Sequence, residues 1–491
     1  MFALTEFLIL LILSLLIVQF LKLQWMRQKL PPGPTPLPII GNLWHLGFVV
    51  KQESLLKLKD TYGNIFTMWM GQTPVVVLNG YEAAKEGLVT YSEETSGRAK
   101  SPLMTDLMGE KGIFVTSGHT WKQQKRFVMT TLRNLGVGKK DLENRVQVEA
   151  HKLLKLIASK QGSSFEPKIP IVHTVGNVIC SFVFGDPFPQ DDDSFNKLIK
   201  AVYLLLFVPF TFWGRLYDAC PTVMSHMKGL YREVFESNAF IHNLVREKMQ
   251  SHKERWRRGQ ENHDLIDFYL DQIAKSKDDP SSTFNEENLV QTAVDLLIGG
   301  IETVANTLCW GLCYLLKYPD VQEKIQNEID AVMGRSQIIT YEDRVKLPYT
   351  NAVLHETLRF SSVTGIATMR CCLKDMTLLG FPIAKGTFIL PNKHSVLYDP
   401  DCWETPWKFN PGHFLDSEGN FVNNNAFIPY AIGRRACLGE PLAQTELFVF
   451  FANLLHAFKF QLPDGIKDVS LESIVGGTRE PRPFEILAIP H

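Results

Sequence analysis

Cys437 stands in the run Gly433-Arg434-Arg435-Ala436-Cys437-Leu438-Gly439-Glu440, and the segment after it, Pro441 to Phe460, has helical periodicity. A glycine-rich loop that leads into a helix N-terminus turns backbone N–H groups and the positive helix end toward the sulfur. That surrounding favours thiolate over thiol, and a thiolate is a nucleophile or a metal ligand. Gly433 and Gly439 are expected to let backbone approach closely, since neither carries a Cβ. An ordinary buried thiol is the plain alternative. A second chemical pair lies at Glu302-Thr303, directly behind Gly299-Gly300 in the apolar stretch Asp295 to Val304. Each glycine inside a helix costs about 1 kcal/mol relative to alanine. Two in succession predict either a distortion with room for a ligand or simple close packing. A third pair, Glu356-x-x-Arg359, falls within the helical stretch Tyr349 to Phe360, where residues three apart share a face. Left exposed, such a pair contributes less than about 1 kcal/mol.

The pattern from about Lys139 to Met333 is mostly helical, so a helical body carries the acid–alcohol pair. Its charge-rich piece, His252 to Arg258, reads as solvated surface. Ile65 to Met70 and Val75 to Leu78, separated by Gly71-Gln72-Thr73-Pro74, predict two strands and a short turn. Short strands are expected again between Met376 and Leu390. At the N-terminus, no charged residue interrupts the apolar run from Phe7 to Leu21, and Phe2 to Leu4 extend it past Glu6. At 1.5 Å rise per residue, roughly 20 residues span a bilayer core. An acidic residue before the run and no small-residue cleavage site after it favour a retained anchor over a cleaved signal peptide. Lys22, Arg27 and Lys29 follow, which places the rest of the chain on the cytoplasmic side. Pro31-Pro32-Gly33-Pro34-Thr35-Pro36-Leu37-Pro38 predicts a stiff, non-helical spacer. The expected organisation is a signal-anchor helix at 1–25, a basic and proline-rich hinge at 26–41, and one catalytic domain at 42–491, mainly α with small β sheets. With 51 basic and 52 acidic residues, the chain has no overall charge for nucleic acid. Its eight cysteines form no CxxC pair, which argues against a zinc site and a secreted disulfide framework, and fits a reducing, cytosol-facing compartment.

The motif Gly433-x-Arg435-x-Cys437-x-Gly439 resembles the haem-binding loop of the cytochrome P450 superfamily, with Tyr430 where that family has Phe and Ala431 where Ser is common. Gly299-Gly300-Ile301-Glu302-Thr303-Val304 is similar to its distal helix, A-G-x-[DE]-T-T; Gly299 replaces Ala and Val304 the second Thr. Glu356-x-x-Arg359 together with Phe409-Asn410-Pro411-Gly412-His413-Phe414 resembles its Glu–Arg network. Trp121-Lys122-Gln123-Gln124-Lys125 is similar to its W-x-x-x-R, with Lys125, a point charge, in place of the Arg fork. These motifs follow one another in the family's order. The likeness is greatest to the vertebrate microsomal second family, with a slighter likeness to its J-type subfamily.

The resemblance implies the cytochrome P450 fold and a haem b cofactor with Cys437 as the iron ligand. It implies Arg98, Trp121, Lys125, Arg370 and Arg435 near the haem, with Gly433 and Gly439 shaping the loop. Glu356, Arg359 and His413 would lock the structure. Thr303 would hydrogen-bond dioxygen and Glu302 would gate protons. The implied pocket is lined by Ile113, Phe114, Val115, Asp295, Gly299, Thr364, Ala367, Thr368 and Thr478, with Phe207, Phe210, Phe212 and Trp213 as its roof. Such a lining suits lipophilic substrates (a fatty acid, steroid, carotenoid or retinoid-like molecule, or xenobiotic), hydroxylated or epoxidised with one atom of O2. Electrons would come from NADPH through a membrane-bound flavoprotein reductase, with a cytochrome b-type haem protein as a second donor. Lys122, Lys125, Arg126, Lys139, Lys140 and Arg434 would form the docking face, and the location would be the endoplasmic reticulum membrane. Two other readings stand beside this one: a haem-thiolate isomerase or dehydratase acting on peroxides, and a non-catalytic haem binder.

Overall fold

The computed structural model describes residues 2–46, 52–136, 140–189, 191–227, 229–256, 261–334, 337–366 and 368–491. The chain divides into two compact units, each assembled from separate stretches. One comprises Met1–Ala99, Gly365–Asp399 and Tyr430–Ala436; the other comprises Lys100–Thr364, Pro400–Pro429 and Cys437–His491. The division passes through the cysteine loop itself.

The first unit opens with helix α1, Phe2–Arg27. Its stretch Leu4–Arg27 is long and apolar enough to cross a bilayer, and its most apolar part is not buried against protein. The proline-rich segment that follows is extended, as its composition predicts, but it is no loose spacer. Thr67 N donates to Pro32 O at 2.8 Å, and Trp69 N donates to Asn42 Oδ1 at 2.8 Å. Asn42 Nδ2 in turn donates to Thr35 O at 3.1 Å. Any Cβ on Gly33 would fall on the Thr67 carbonyl, so only glycine lets the segment lie this close to the strand. Arg27, the last residue of α1, donates to Gly33 O at 2.7 Å and to Thr35 Oγ1 at 3.1 Å.

The strand pair is β1, Ile65–Met70, and β2, Thr73–Leu78, so β2 begins two residues earlier than the turn residues suggest. Pro74 fits there because the parallel partner of β2 joins only from Val75 onward, and no ladder bond is asked of its missing N–H on that side. The sheet order is β1-β2-β7-β4-β3, with β3 Gly97–Arg98, β4 Arg370–Cys371 and β7 Phe388–Pro391. The hairpin of β5, Met376–Leu378, and β6, Phe381–Ile383, packs against it. Val76 and Leu78 enter one apolar cluster, Val75 and Val77 another. Burial on both faces explains why β2 reads as a continuous apolar run instead of alternating.

In the second unit the helices that bear on function are α2 Gly118–Asn134, α3 Lys168–Phe184, α4 Asp193–Phe207, α5 Leu230–Trp256, α6 Leu265–Lys275, α7 Glu286–Gly300, α8 Glu302–Lys317, α9 Pro348–Ser361 and α10 Glu440–Ala457. Together α7 and α8 are as apolar as a membrane span, yet most of that stretch is buried within the protein, which makes them a core element. The helix breaks at Ile301, and the two glycines before the break behave differently. A Cβ on Gly300 would lie 2.5 Å from Ile179 Cδ1 of α3, whereas nothing stands within 4 Å of one on Gly299. Both expectations for the pair are therefore realised, close packing at one glycine and open space at the other.

α9 carries Pro348 in its first turn, where a missing N–H costs nothing, and ends against Ser362 in the left-handed conformation. α10 stops three residues short of the expected Phe460. Phe458 and Phe460 are buried while Lys459 and Gln461 are exposed, a period of two that makes β8, Phe458–Gln461, paired with β11, Leu487–Pro490. β9, Ser473–Val475, and β10, Arg479–Pro481, form another small sheet. The solvated reading of His252 to Arg258 needs correction. His252 is buried and its Nε2 bonds Asp264 Oδ2 at 2.8 Å, while Asp264 Oδ1 caps α6. That pairing removes the cost of burying a polar ring; residues 257–260 lie outside the described set.

Candidate functional site

Cys437 is exposed and lies three residues ahead of α10, whose N-cap is Gly439. The two loop glycines do different jobs. Gly433 has φ +80°, and a Cβ there would fall on the Leu88 carbonyl. Gly439 has φ −90°, and a Cβ would sit 4.0 Å from Cys437 Sγ. Gly433 is thus demanded by backbone, while a Cβ at Gly439 would make an ordinary contact with the sulfur.

Within the first unit, strand pairing sets Arg98 opposite Arg370. Arg435 joins them: its Nε donates to Ser96 O at 2.8 Å, and Arg370 Nη2 donates to Arg435 O at 3.4 Å. Burial, then the neighbouring Arg98 and Arg370 charges, pull the Arg435 guanidinium far down; burial and Arg98 do the same to Arg370. Arg370 is only 2% exposed, and its Nε and Nη1 have no hydrogen-bond partner among the described residues. A guanidinium does not give up its proton in a protein, so an anion would relieve this repulsion. The carboxylates of a haem meet that requirement, and Arg98, Arg370 and Arg435 fit the cofactor expected from the sequence.

In the second unit Glu356 and Arg359 are both fully buried. Arg359 Nε and Nη2 reach the two Glu356 oxygens at 2.7 Å each, a bidentate pair. Arg359 also donates to Pro406 O at 2.9 Å and to Lys408 O at 3.0 Å. Glu356 also accepts from Asn410 N at 2.8 Å and meets His413 Nδ1 at 3.2 Å. The three residues expected to lock the structure do converge, and the exposed-pair reading is wrong.

Asp295 was expected to line a pocket; its carboxylate holds the backbone of Ile113 and Phe114. Oδ2 accepts from Ile113 N at 2.6 Å and Phe114 N at 2.9 Å, and Oδ1 from Gln291 Nε2 at 2.9 Å. Desolvation still dominates these donors and pushes the carboxyl up to about 6. A carboxyl raised above its ordinary 3.8 binds its proton more tightly folded than unfolded, so its contribution to stability falls as pH rises from that value to about 6. Asp295→Asn is expected to flatten this pH dependence in denaturant unfolding. Asp295→Ala, which strands two backbone donors, is expected to cost about 1–3 kcal/mol.

Glu302 and Thr478 are brought together by a residue the sequence reading did not single out. Asn306 Nδ2 donates to Glu302 Oε2 at 3.2 Å and to Thr478 Oγ1 at 3.1 Å. Thr303 Oγ1 donates to Gly299 O at 2.8 Å. Near Glu302 lie Lys168 of α3 and Glu480 of β10, joined as an ion pair, and Tyr203 of α4, which donates to Glu480 Oε1 at 3.2 Å. Lys168 and Glu480 are 312 residues apart, so no local pattern announces them. Asn306 had a signal, one helical turn beyond Glu302.

Trp121 is buried, and Lys125 Nζ lies over its ring at 5.5 Å, the geometry their spacing along α2 allows. Ile113 is buried; Phe114, Val115 and Thr364 are half-buried. Thr368 is exposed, and its carbonyl accepts from Arg98 Nη1 at 3.5 Å. Ala367 lies outside the described residues. The expected aromatic roof separates: Phe207 and Phe210 pack on Gly476 and Gly477, whereas Phe212 and Trp213 are 40% and 44% exposed. Of the basic residues, Lys122, Arg126 and Lys140 are exposed, Arg434 pairs with Glu93 at 2.6 Å, and Lys139 lies outside the described set.

The protein-family model for Cytochrome P450 matches residues 31–488. The chain is 39% identical over 461 residues to cytochrome P450 2F2 of Mus musculus, covering 94% of each. It is 37% identical over 476 residues to cytochrome P450 2J2 of Homo sapiens, covering 97% of this chain and 94% of that protein. Cytochrome P450 2D6 of Pan troglodytes is 38% identical over 494 residues and is covered at 99% on both sides.

Proposed function

Because the chain belongs to the cytochrome P450 family, as a haem-thiolate monooxygenase with one N-terminal helix suited to a membrane, we propose that it oxygenates lipophilic molecules with electrons drawn from NADPH. The observation that carries this reading is the intact Cys437 loop inside a family match that runs from 31 to 488. Haem held by the Cys437 thiolate would supply the activation of O2. The chain's own residues do the rest. Cys437 is the ligand, and Gly433 lets its loop lie against the Leu88 carbonyl. Arg98, Arg370 and Arg435 balance the cofactor's carboxylates, joined by Trp121 and Lys125. Thr303, with Glu302 one residue before it, orients and supplies protons at the break between α7 and α8, where Gly299 leaves open space. Ile113 and Phe114, held by Asp295, belong to the substrate wall with Val115, Thr364, Thr368 and Thr478.

The catalytic domain on this reading is 42–491, tethered by 1–25 to the endoplasmic reticulum and facing the cytosol, where a flavoprotein reductase and a cytochrome b-type protein reach it through Lys122, Arg126 and Lys140. Fatty acids, steroids, carotenoid or retinoid-like molecules and xenobiotics are the substrate classes to assay. Turnover of such a panel with reductase should depend on both NADPH and O2; turnover of peroxides without either would indicate an isomerase. Cys437→Ser should abolish the red-shifted Soret band of the ferrous–CO complex while retaining secondary structure. A Cys437→Ser protein that keeps this band removes the ligand assignment.

A further inference from the structure

One cation serves two buried carboxylates beside the α7–α8 break. Lys168 reaches up from α3 with its side chain 27% exposed, and Glu480 on β10 is 7% exposed. Lys168 is bonded to Glu480, and its ammonium also lies 5.0 Å from the Tyr203 ring centroid. Glu302 is 3% exposed and makes no ion pair among the described residues; its hydrogen bond comes from Asn306. Asn306 is itself fully buried, and its Oδ1 has no hydrogen-bond partner among the described residues. A carboxylate without its own cation in such surroundings is costly, and protonation removes the cost.

We propose that Glu302 rests protonated because Lys168 is committed to Glu480, and that movement of Lys168 between the two acids charges and discharges Glu302 as a proton donor. This rests on the proton-supplying role given to Glu302 above and adds Lys168, Glu480, Tyr203 and Asn306 as positioning residues. The cycle balances over one proton. The Glu302 O–H bond breaks, the proton leaves toward the break in the helix, and Lys168 shifts to the new carboxylate. A proton from solvent then restores the acid, and Lys168 returns to Glu480. The electrostatics agree in direction: burial pushes the Glu302 carboxyl up, Lys168 pulls it back, and Glu480 pushes it up again. Burial pulls the Lys168 ammonium down, but Glu302 and then Glu480 outweigh it and hold it up. Lys168 and Glu480 are the charged groups bearing on Glu302, with Cys309 of α8 and Tyr203 of α4 as its neutral titratable neighbours.

The test is infrared difference titration of the full-length, haem-loaded protein, following the carbonyl stretch of a protonated carboxylic acid. A band present near neutral pH should vanish in Glu302→Gln. Glu480→Gln releases Lys168 to Glu302 and should lower the band's titration midpoint by about one pH unit or more, while Lys168→Met should raise it. Movement in opposite directions is not produced by general loosening of the fold, and Lys168→Arg should restore the wild-type midpoint. No Glu302-dependent band, or a midpoint indifferent to Glu480 and Lys168, overturns the proposal. The parent reading fails separately: if Thr303→Ala and Glu302→Gln leave coupling of NADPH consumption to product unchanged, Glu302 is no proton donor, whatever its band does.

Discussion

Arg359→Leu should be the most destabilising single change in the second unit, costing about 3–5 kcal/mol, the range for removing one partner of a buried ion pair. Glu356 would be left fully buried with a charge and, among the described residues, only Asn410 N and His413 to answer it. The carbonyls of Pro406 and Lys408 would lose their donors at the same time. Lysine should not rescue the site. It offers one ammonium where the arginine fork serves both carboxylate oxygens and two carbonyls. Removing both charges in Glu356→Gln/Arg359→Leu should be milder than Arg359→Leu alone, because no unbalanced charge remains. The denaturant midpoint followed by circular dichroism ranks the three proteins. A double variant worse than the single would mean that the pair's net attraction, and not the stranded charge, dominates.

Arg435→Leu should have opposite effects on the two forms of the protein. In haem-free protein it removes one of three crowded cations and should leave the unfolding temperature unchanged or raise it. In haem-loaded protein it removes a charge-assisted partner of the cofactor's carboxylates, with a cost of about 1.5–3 kcal/mol. Haem transfer to an acceptor protein should then be roughly 10- to 150-fold faster, if the loss falls on dissociation. A variant equally destabilised in both forms would show that Arg435 works through its bond to the Ser96 carbonyl and not through the cofactor.

What could be read from the sequence follows the distance over which each signal acts. The anchor helix, β1, α9 and the Cys437 loop were legible because periodicity, turn residues and glycine constraints act within a dozen residues. The Glu356–Arg359 pair was legible as a pair, but its burial was not, since the carbonyls that swallow Arg359 come from 406 and 408. Asp295 was placed at a pocket without its task, because the donors it holds lie about 180 residues earlier. His252 read as surface for the same reason in miniature: its partner, Asp264, looks like one more charge in a polar stretch. Lys168 and Glu480 were invisible, being joined only by an ion pair between residues 312 apart in sequence. The end of α10 was misplaced because Phe458 and Phe460 continue an apolar helix in composition, and only the strand Leu487–Pro490 decides otherwise.

The grip of Arg27 on Gly33 and Thr35 has a mechanical result. Bilayer thickness sets the tilt at which an apolar helix comes to rest. Since the last residue of that helix is fastened to a segment laid along β1, a change in its tilt would load that segment, and replacing Arg27 would release the helix from it.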